Sequence, residues 1–284
     1  MWDAFVNFEF MRFSIYAAVL ASVACGIIGS FIVVRKIVFV TGGISHTAYG
    51  GIGIAYFLGL NPLIGATVFA VLAGFLISWI RSTFAERTDT LIGILWASGM
   101  SIGILFINLT PGYAPNLMSY LFGSILGISY VDLQIIFVLD VIIFIAVFMF
   151  YRQFHIISFD EEYAKSLGIR VKLFNSIFMV LVALTVVVLI QVVGIILVIA
   201  LITIPPAIAG RFVKSLKQMM VVASIIALIV TVGGIWIEYE LEALTSKQIP
   251  PSATIILLAS AIYLLVSILK IKRKKFKNEP TSAK

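Results

Sequence analysis

A chain of 284 residues that is 62% hydrophobic and only 12% charged, with a mean hydropathy of +1.15, cannot present a surface that water will solvate. A soluble globular domain is therefore excluded, and the long runs that are apolar all round set aside a β-barrel of short alternating strands as well. The net charge of +7 fits basic residues that gather at the cytoplasmic ends of membrane spans and meet anionic lipid, rather than a nucleic-acid surface.

Residues 1–12, beginning MWDAFVNFEF, lack the basic start of a cleavable signal and read as an interfacial aromatic segment. Spans are then expected near 13–34, 38–58, 62–80, 90–109, 131–151, 174–192, 195–210, 218–237 and 252–270. Each is set against the roughly 20 apolar residues that cross a hydrocarbon core about 30 Å thick. Cys25, the only cysteine, sits in the first and reads as a small packing residue. The stretch 117–128, LMSYLFGSILGI, is too short to cross and reads as re-entrant or interfacial. The run from 174 to 210 is nearly continuous, and Gly194 is its expected break.

Placing the C-terminal KIKRKKFK in the cytoplasm puts every lysine and arginine except Arg12 and Lys247 on the inside. The expectation is an all-α polytopic bundle of eight to nine transmembrane helices forming one domain over 1–284. Residues 152–173 form a cytoplasmic loop in that reading, and 271–284 a basic cytoplasmic tail. The last external loop would carry Glu238, Glu240 and Glu242.

The span 38–58 holds five glycines and His46. Glycine lets another backbone or a permeating species approach closely. His46 lies ten residues past Lys36, about 15 Å deep at 1.5 Å per residue. An ionisable side chain there is a functional candidate, and neutral imidazole is a common transition-metal ligand. The bland alternative is a histidine bonded across a helix interface. Asp140, mid-span in FVLDVII, must face a cavity or a partner or be protonated. Asp89, in RTDTLIG, reads equally as a helix cap or a functional carboxylate. In the long cytoplasmic loop, FDEEYAKSLG reads as a short helix, with Asp160, Glu161 and Glu162 in its first turn and Gly168 at its end. No phosphate loop, no H-E-x-x-H and no nucleophile–base pair is present, so neither ATP binding by that route nor an enzyme is expected.

Five segments together resemble the permease subunits of bacterial ABC importers for zinc, manganese and iron. GGISHTAYGGIGI is similar to their metal-pathway helix, G-D-x-x-[SA]-H-x-x-x-x-G; TDTLIGILWASGMSIGIL resembles the span that follows. LMSYLFGSILGIS, FDEEYAKSLGI and VVGIILVIALITIPPAIA resemble three further family segments, the second being the F-D-x-x-x-A-x-x-x-G helix presented to the ATPase. The resemblance implies the permease fold of the metal and vitamin importers (the type II ABC importers) and a homodimer in a bacterial or archaeal plasma membrane. It implies a cytoplasmic ATPase pair that alone hydrolyses ATP, an extracytoplasmic metal-binding protein, and no nucleic-acid partner. No permanently bound cofactor is implied, only transported Zn2+, Mn2+ or Fe2+.

The resemblance carries the motif histidine onto His46, with Asp89 and Asp140 as further candidate metal contacts. It carries the ATPase contact onto Phe159, Asp160, Glu161, Ala164 and Gly168. Two departures stand out: Gly42 replaces the motif aspartate, and Ser252 replaces a turn glycine. An aspartate at 42 would share a helix face with His46 at i+4, so its loss leaves imidazole without the hard oxygen that manganese prefers and tilts the expectation towards zinc. The alternative from a different class is a secondary, ion-coupled transporter working through Asp140 and Asp89.

Overall fold

The computed structural model describes residues 9–83, 88–111, 121, 123, 127–245 and 249–278. Residues 1–8, most of the 117–128 stretch, Arg87, Lys247 and residues 279–284 lie outside them. Among the described residues the regular structure is helical: α1 (Glu9–Val34), α2 (Val38–Phe57), α3 (Pro62–Thr83), α4 (Thr88–Leu109), α5 (Tyr130–Phe159), α6 (Glu161–Ser166), α7 (Val171–Val193), α8 (Val198–Ala209), α9 (Leu216–Thr245) and α10 (Pro251–Asn278). Each of the nine expected segments is a helix. Seven of them, α1, α3, α4, α5, α7, α9 and α10, are long and apolar enough to cross a membrane. In α2 the glycines and His46 dilute the apolar content. Helix α8 has 12 residues, about 18 Å at 1.5 Å per residue, and is too short to cross alone.

Helix α7 is the centre of the bundle. It is buried continuously from Leu181 to Ile190 and packs on α1, α2, α3 and α5. A helix that is apolar on every face belongs inside, and this one is rich in β-branched valine. It stops at Gly194, whose φ of 79° is the left-handed conformation that glycine adopts without strain. The expected break is thus borne out.

Packing of α1 on α8 follows from Pro205 and Pro206. Neither proline can donate to the carbonyl four residues back, so the carbonyls of Leu201 and Ile202 lose their helical partners. The Cys25 thiol donates to the Leu201 oxygen at 2.6 Å. Gly29 lies against the Ile202 oxygen, where a side chain would collide. Cys25 is therefore more than a spacer: it satisfies a carbonyl that a proline left open.

The α2 glycines serve backbone packing rather than an open path. Gly50 and Gly53 lie against the backbones of Gly99 and Gly103 on α4, and Gly51 against that of Gly65 on α3. A Cβ at 51 would run into the Gly65 carbonyl, so Gly51→Val should destabilise the protein by about 1–3 kcal/mol or prevent its folding. Gly93 has nothing within 4 Å, and Gly93→Ala should leave stability at or above wild type. Thermal unfolding of the two variants in detergent checks the contrast.

Three helices outrun their spans, α10 by continuing to Asn278 into the expected basic tail. Helix α5 continues past residue 151 to Phe159 through a kink at Phe150 (φ −106°, ψ 15°), so the first part of the expected 152–173 loop is helical. Its polar extension still buries Phe154 and Ile157; falling hydropathy marked the membrane surface and not the helix end. Helix α9 likewise carries Glu238, Glu240 and Glu242 within it, and not in a loop. Trp236 donates to Glu240 at 3.2 Å, an i,i+4 pair that supports this extension.

Candidate functional site

Helix α2 packs between α4 and α3 and also touches α7 and α8. Gly43 faces Ile92, Gly50 faces Gly99 and Gly53 faces Gly103, so α2 and α4 run in the same direction. That register brings Trp96 onto His46. Their rings stack with centroids 4.1 Å apart and planes 16° apart. The imidazole is 7% exposed, and its Nδ1 is buried with no hydrogen-bond partner. The interhelical hydrogen bond of the bland alternative is absent. A stacked but unbonded imidazole keeps its nitrogen lone pair for a ligand.

Gly42 is one turn before His46. A Cβ there would run into the six-membered ring of Trp96 and close on Ile199. The indole thus occupies the space into which a side chain at 42 would grow. The missing carboxylate and the tryptophan are two sides of one local arrangement, and nothing within either segment signals their contact.

The other sequence candidates are not assembled around His46. The α2–α4 register places exposed Asp89 level with residues near 40, about 9 Å below His46 along the axis. Asp140 lies on α5, which packs on α1 and α7 rather than on α2. It is 8% exposed, and both carboxylate oxygens are buried without a hydrogen-bond partner. Among the described residues no group of three or more His, Cys, Asp or Glu side chains is placed to hold a metal ion. A cavity of about 1110 Å³ lies between the ends of α3 and α7 beside α6, away from His46.

The second site is α6. Asp160 ends α5 and caps α6, its Oδ1 accepting from the backbone N–H of Glu162 and of Tyr163 at 2.9 Å each. Gly168, at φ 74°, closes it: Gly168 N–H donates to the Lys165 oxygen and Ile169 N–H to the Ala164 oxygen, a Schellman ending. Ala164 is fully buried and packs with Ile157 and Val171. Aspartate, alanine and glycine therefore fold and seat α6. Exposed around it are Phe159 at the end of α5, Tyr163 on α6 and Leu167 at its C-cap. Tyr163 and Leu167 escaped the sequence reading, although their spacing from Phe159 carried the signal.

An arginine links the two sites. Arg35 follows α1, three residues before α2 begins. It donates from Nε to Ser158 Oγ at 2.8 Å, from one terminal nitrogen to Asn175 Oδ1 at 3.0 Å and from the other to the Phe154 carbonyl at 3.2 Å. Its guanidinium also lies 4.1 Å from the centroid of the Phe178 ring. Asn175 in turn donates to Glu161 of α6 at 3.3 Å. Burial is the main influence on Arg35 and, with Arg81 nearby, brings its pKa down to about 10, while Glu161 acts the other way; it stays charged at neutral pH. Lys36, at φ 57°, turns the chain into α2 through another Schellman ending, with Ile37 N–H on the Ile32 oxygen.

Residues 7–270 match the model of the ABC 3 transport family. The chain belongs to that family. Its similarity to an uncharacterized membrane protein of Synechocystis is 44% identity over 260 residues, covering 92% of this chain and 90% of that one. Its similarity to the manganese import system permease protein ScaB of Streptococcus parasanguinis is 31% over 277 residues, 98% of this chain and 96% of that one. Among solved structures, PsaBC from Streptococcus pneumoniae in complex with Fab superposes with a TM-score of 0.83 at 30% identity, covering 93% of each chain. The family resemblance read from the five segments is borne out, and so is the polytopic all-helical permease fold. As a member of the ABC 3 transport family, the chain carries in α2 and α6 the two segments by which the resemblance assigned pathway and ATPase contact.

Proposed function

We propose that this chain is the transmembrane permease subunit of an ATP-driven importer that carries a divalent transition metal ion into the cytoplasm. The observation that carries the reading is α6: a short helix, capped at both ends, with Phe159, Tyr163 and Leu167 exposed around it. Apolar side chains exposed on the charged, cytoplasmic side of a membrane protein mark an interaction surface, and a short helix capped and seated as α6 is suits a protein partner. In this reading the partner is one of a pair of ABC ATPases, which bind and hydrolyse the ATP. Phe159 belongs to the contact itself, while Asp160, Ala164 and Gly168 hold α6 in shape and Glu161 ties it to Asn175. The chain forms one membrane domain over 1–284, pairs with a second copy and receives its ion from an extracytoplasmic binding protein. It lies in the plasma membrane of a bacterium or archaeon with its C-terminus in the cytoplasm.

His46 is the pathway contact for the ion. An imidazole without a neighbouring carboxylate suits zinc better than manganese. A relative named as a manganese import permease supports the other assignment, and a direct comparison of ions decides between them. Asp140 supports a second reading, a carrier driven by an ion gradient, because a buried carboxylate without a partner is a place for a proton or a cation.

Reconstitution in proteoliposomes with the ATPase and the binding protein separates the two. The importer reading expects uptake of zinc, manganese or iron that requires ATP and stops when the ATPase is left out. Uptake by the chain alone, driven by a proton or sodium gradient, would overturn it in favour of the carrier.

A further inference from the structure

Two adjoining cavities lie on the cytoplasmic half of the molecule, and His46 lines neither. The first, about 610 Å³, is formed by the end of α5 and the start of α9 and is lined by Arg152, His155, Lys214 and Lys217. The second, about 700 Å³, lies beside it between α1, α5 and α9. Its walls include Ile27, Phe148, Val221 and Ile225. Tyr151 and Lys217 line both, with the Lys217 ammonium 5.1 Å from the centroid of the tyrosine ring. The two therefore adjoin at Tyr151 and Lys217, a basic cavity beside an apolar one.

The basic end is uncompensated. Among the described residues no carboxylate lies within 4.0 Å of the charged nitrogens of Arg152, Lys214 or Lys217; the ion pair found there is Arg12 with Glu9, far away in sequence and on another helix. Positive groups that converge without an acidic neighbour repel one another, and an anion between them relieves that repulsion. The apolar end identifies the rest of the occupant. Phe144 and Ile225, both on its walls, are each eight residues along their helices from the basic groups, about 12 Å further into the span. A cytoplasmic protein or a free anion does not fill an apolar crevice at that depth, whereas an acyl chain does. Phe148, Val221 and Ile225 are all more than half exposed and offer it a surface.

We infer that these two cavities together form a binding site for an anionic phospholipid. The phosphate group sits among Arg152, Lys214 and Lys217, beside His155, and an acyl chain runs up the groove between α5 and α9. Basic pockets between spans on the cytoplasmic side have the chemistry for such head groups. Phe159, assigned above to the ATPase contact, also lines the first cavity, so the lipid would sit beside that contact; the inference does not depend on the transported ion.

The test uses the full purified chain in detergent, offered phosphatidylglycerol or phosphatidylcholine, with retained lipid read by native mass spectrometry. Wild type should keep phosphatidylglycerol about tenfold or more over phosphatidylcholine. The triple variant Arg152→Gln, Lys214→Gln, Lys217→Gln should hold the two lipids equally, while Lys214→Arg with Lys217→Arg should keep the preference. Val221→Trp, which fills the groove and leaves the charges in place, should reduce phosphatidylglycerol retention even if the triple variant fails to fold. Glycerol phosphate, the head group without chains, should not displace the lipid at millimolar concentration. Equal retention of both lipids by wild type, an undiminished preference in a folded triple variant, or displacement by glycerol phosphate would each overturn the inference. So would a Val221→Trp variant that retains lipid as wild type does, since the basic end would then be a surface for something other than a phospholipid.

Discussion

Replacing His46 with alanine is expected to abolish ATP-driven metal uptake while the permease still folds and assembles. The ring donates no hydrogen bond that holds the bundle together, and its Nδ1 has no partner to lose. What disappears is a buried imidazole and its stack on Trp96. Loss even of groups that only support metal ligands costs about 10–100-fold, so loss of the pathway imidazole should lower uptake by more than about tenfold. The measurement is initial uptake in proteoliposomes, with thermal unfolding and ATPase co-purification as controls for folding and assembly. Uptake at the wild-type rate by a folded His46→Ala complex would remove His46 from the pathway. The same geometry predicts that Gly42→Asp alone is damaging, because its side chain runs into Trp96. Gly42→Asp with Trp96→Ala should restore uptake and move preference towards manganese, since aspartate and histidine at i and i+4 then face one ion.

Arg35→Ala should uncouple hydrolysis from transport. In the proposed complex α6 carries the ATPase contact, and the route from α6 to α2 runs through Glu161, Asn175 and Arg35. Removing the guanidinium takes the donor from Ser158 Oγ and Asn175 Oδ1 and one of two side-chain donors from the Phe154 carbonyl, which keeps Ser158 Oγ–H, and it frees the turn at Lys36. Hydrogen bonds to a charged group contribute about 1.5–3 kcal/mol each, roughly ten- to a hundredfold in an equilibrium. The expected result is ATP hydrolysis near the wild-type rate with the metal moved per ATP lower by about tenfold or more. Arg35→Lys should recover only part of it, because an ammonium cannot reproduce the planar fork that serves three acceptors. A purely structural role would lower stability, hydrolysis and uptake together and leave the ratio unchanged. An unchanged ratio in folded Arg35→Ala would therefore dismiss the relay.

The helices were legible because burial in lipid imposes a strong rule. Every backbone amide must be bonded within the segment, so a long apolar run is a helix. Gly194 was legible because a left-handed residue must end the run, and α6 because Asp160 and Gly168 are local capping signals that act over three or four residues. The ends of α5 and α9 were not, since hydropathy reports where the membrane stops and a helix continues wherever a buried side such as Phe154 and Ile157 still packs. The purpose of the α2 glycines was open in the sequence, and the register against Gly65, Gly99 and Gly103 settled it as close backbone contact.

By itself the sequence determined a polytopic helical membrane protein, its family, the placing of His46 within a helix and the short helix α6. Those properties rest on composition, period and short motifs, which are local. Only the tertiary structure decided that Trp96 fills the space beside Gly42, that Cys25 closes a carbonyl opened by Pro205, and that Arg35, in the turn before α2, bonds to α5 and to Asn175 on α7. Each of these joins residues far apart in the chain, and which side chains meet depends on how the helices are rotated and offset against one another. Close packing of bare glycine backbones fixes that rotation, and no pattern within a single segment records it.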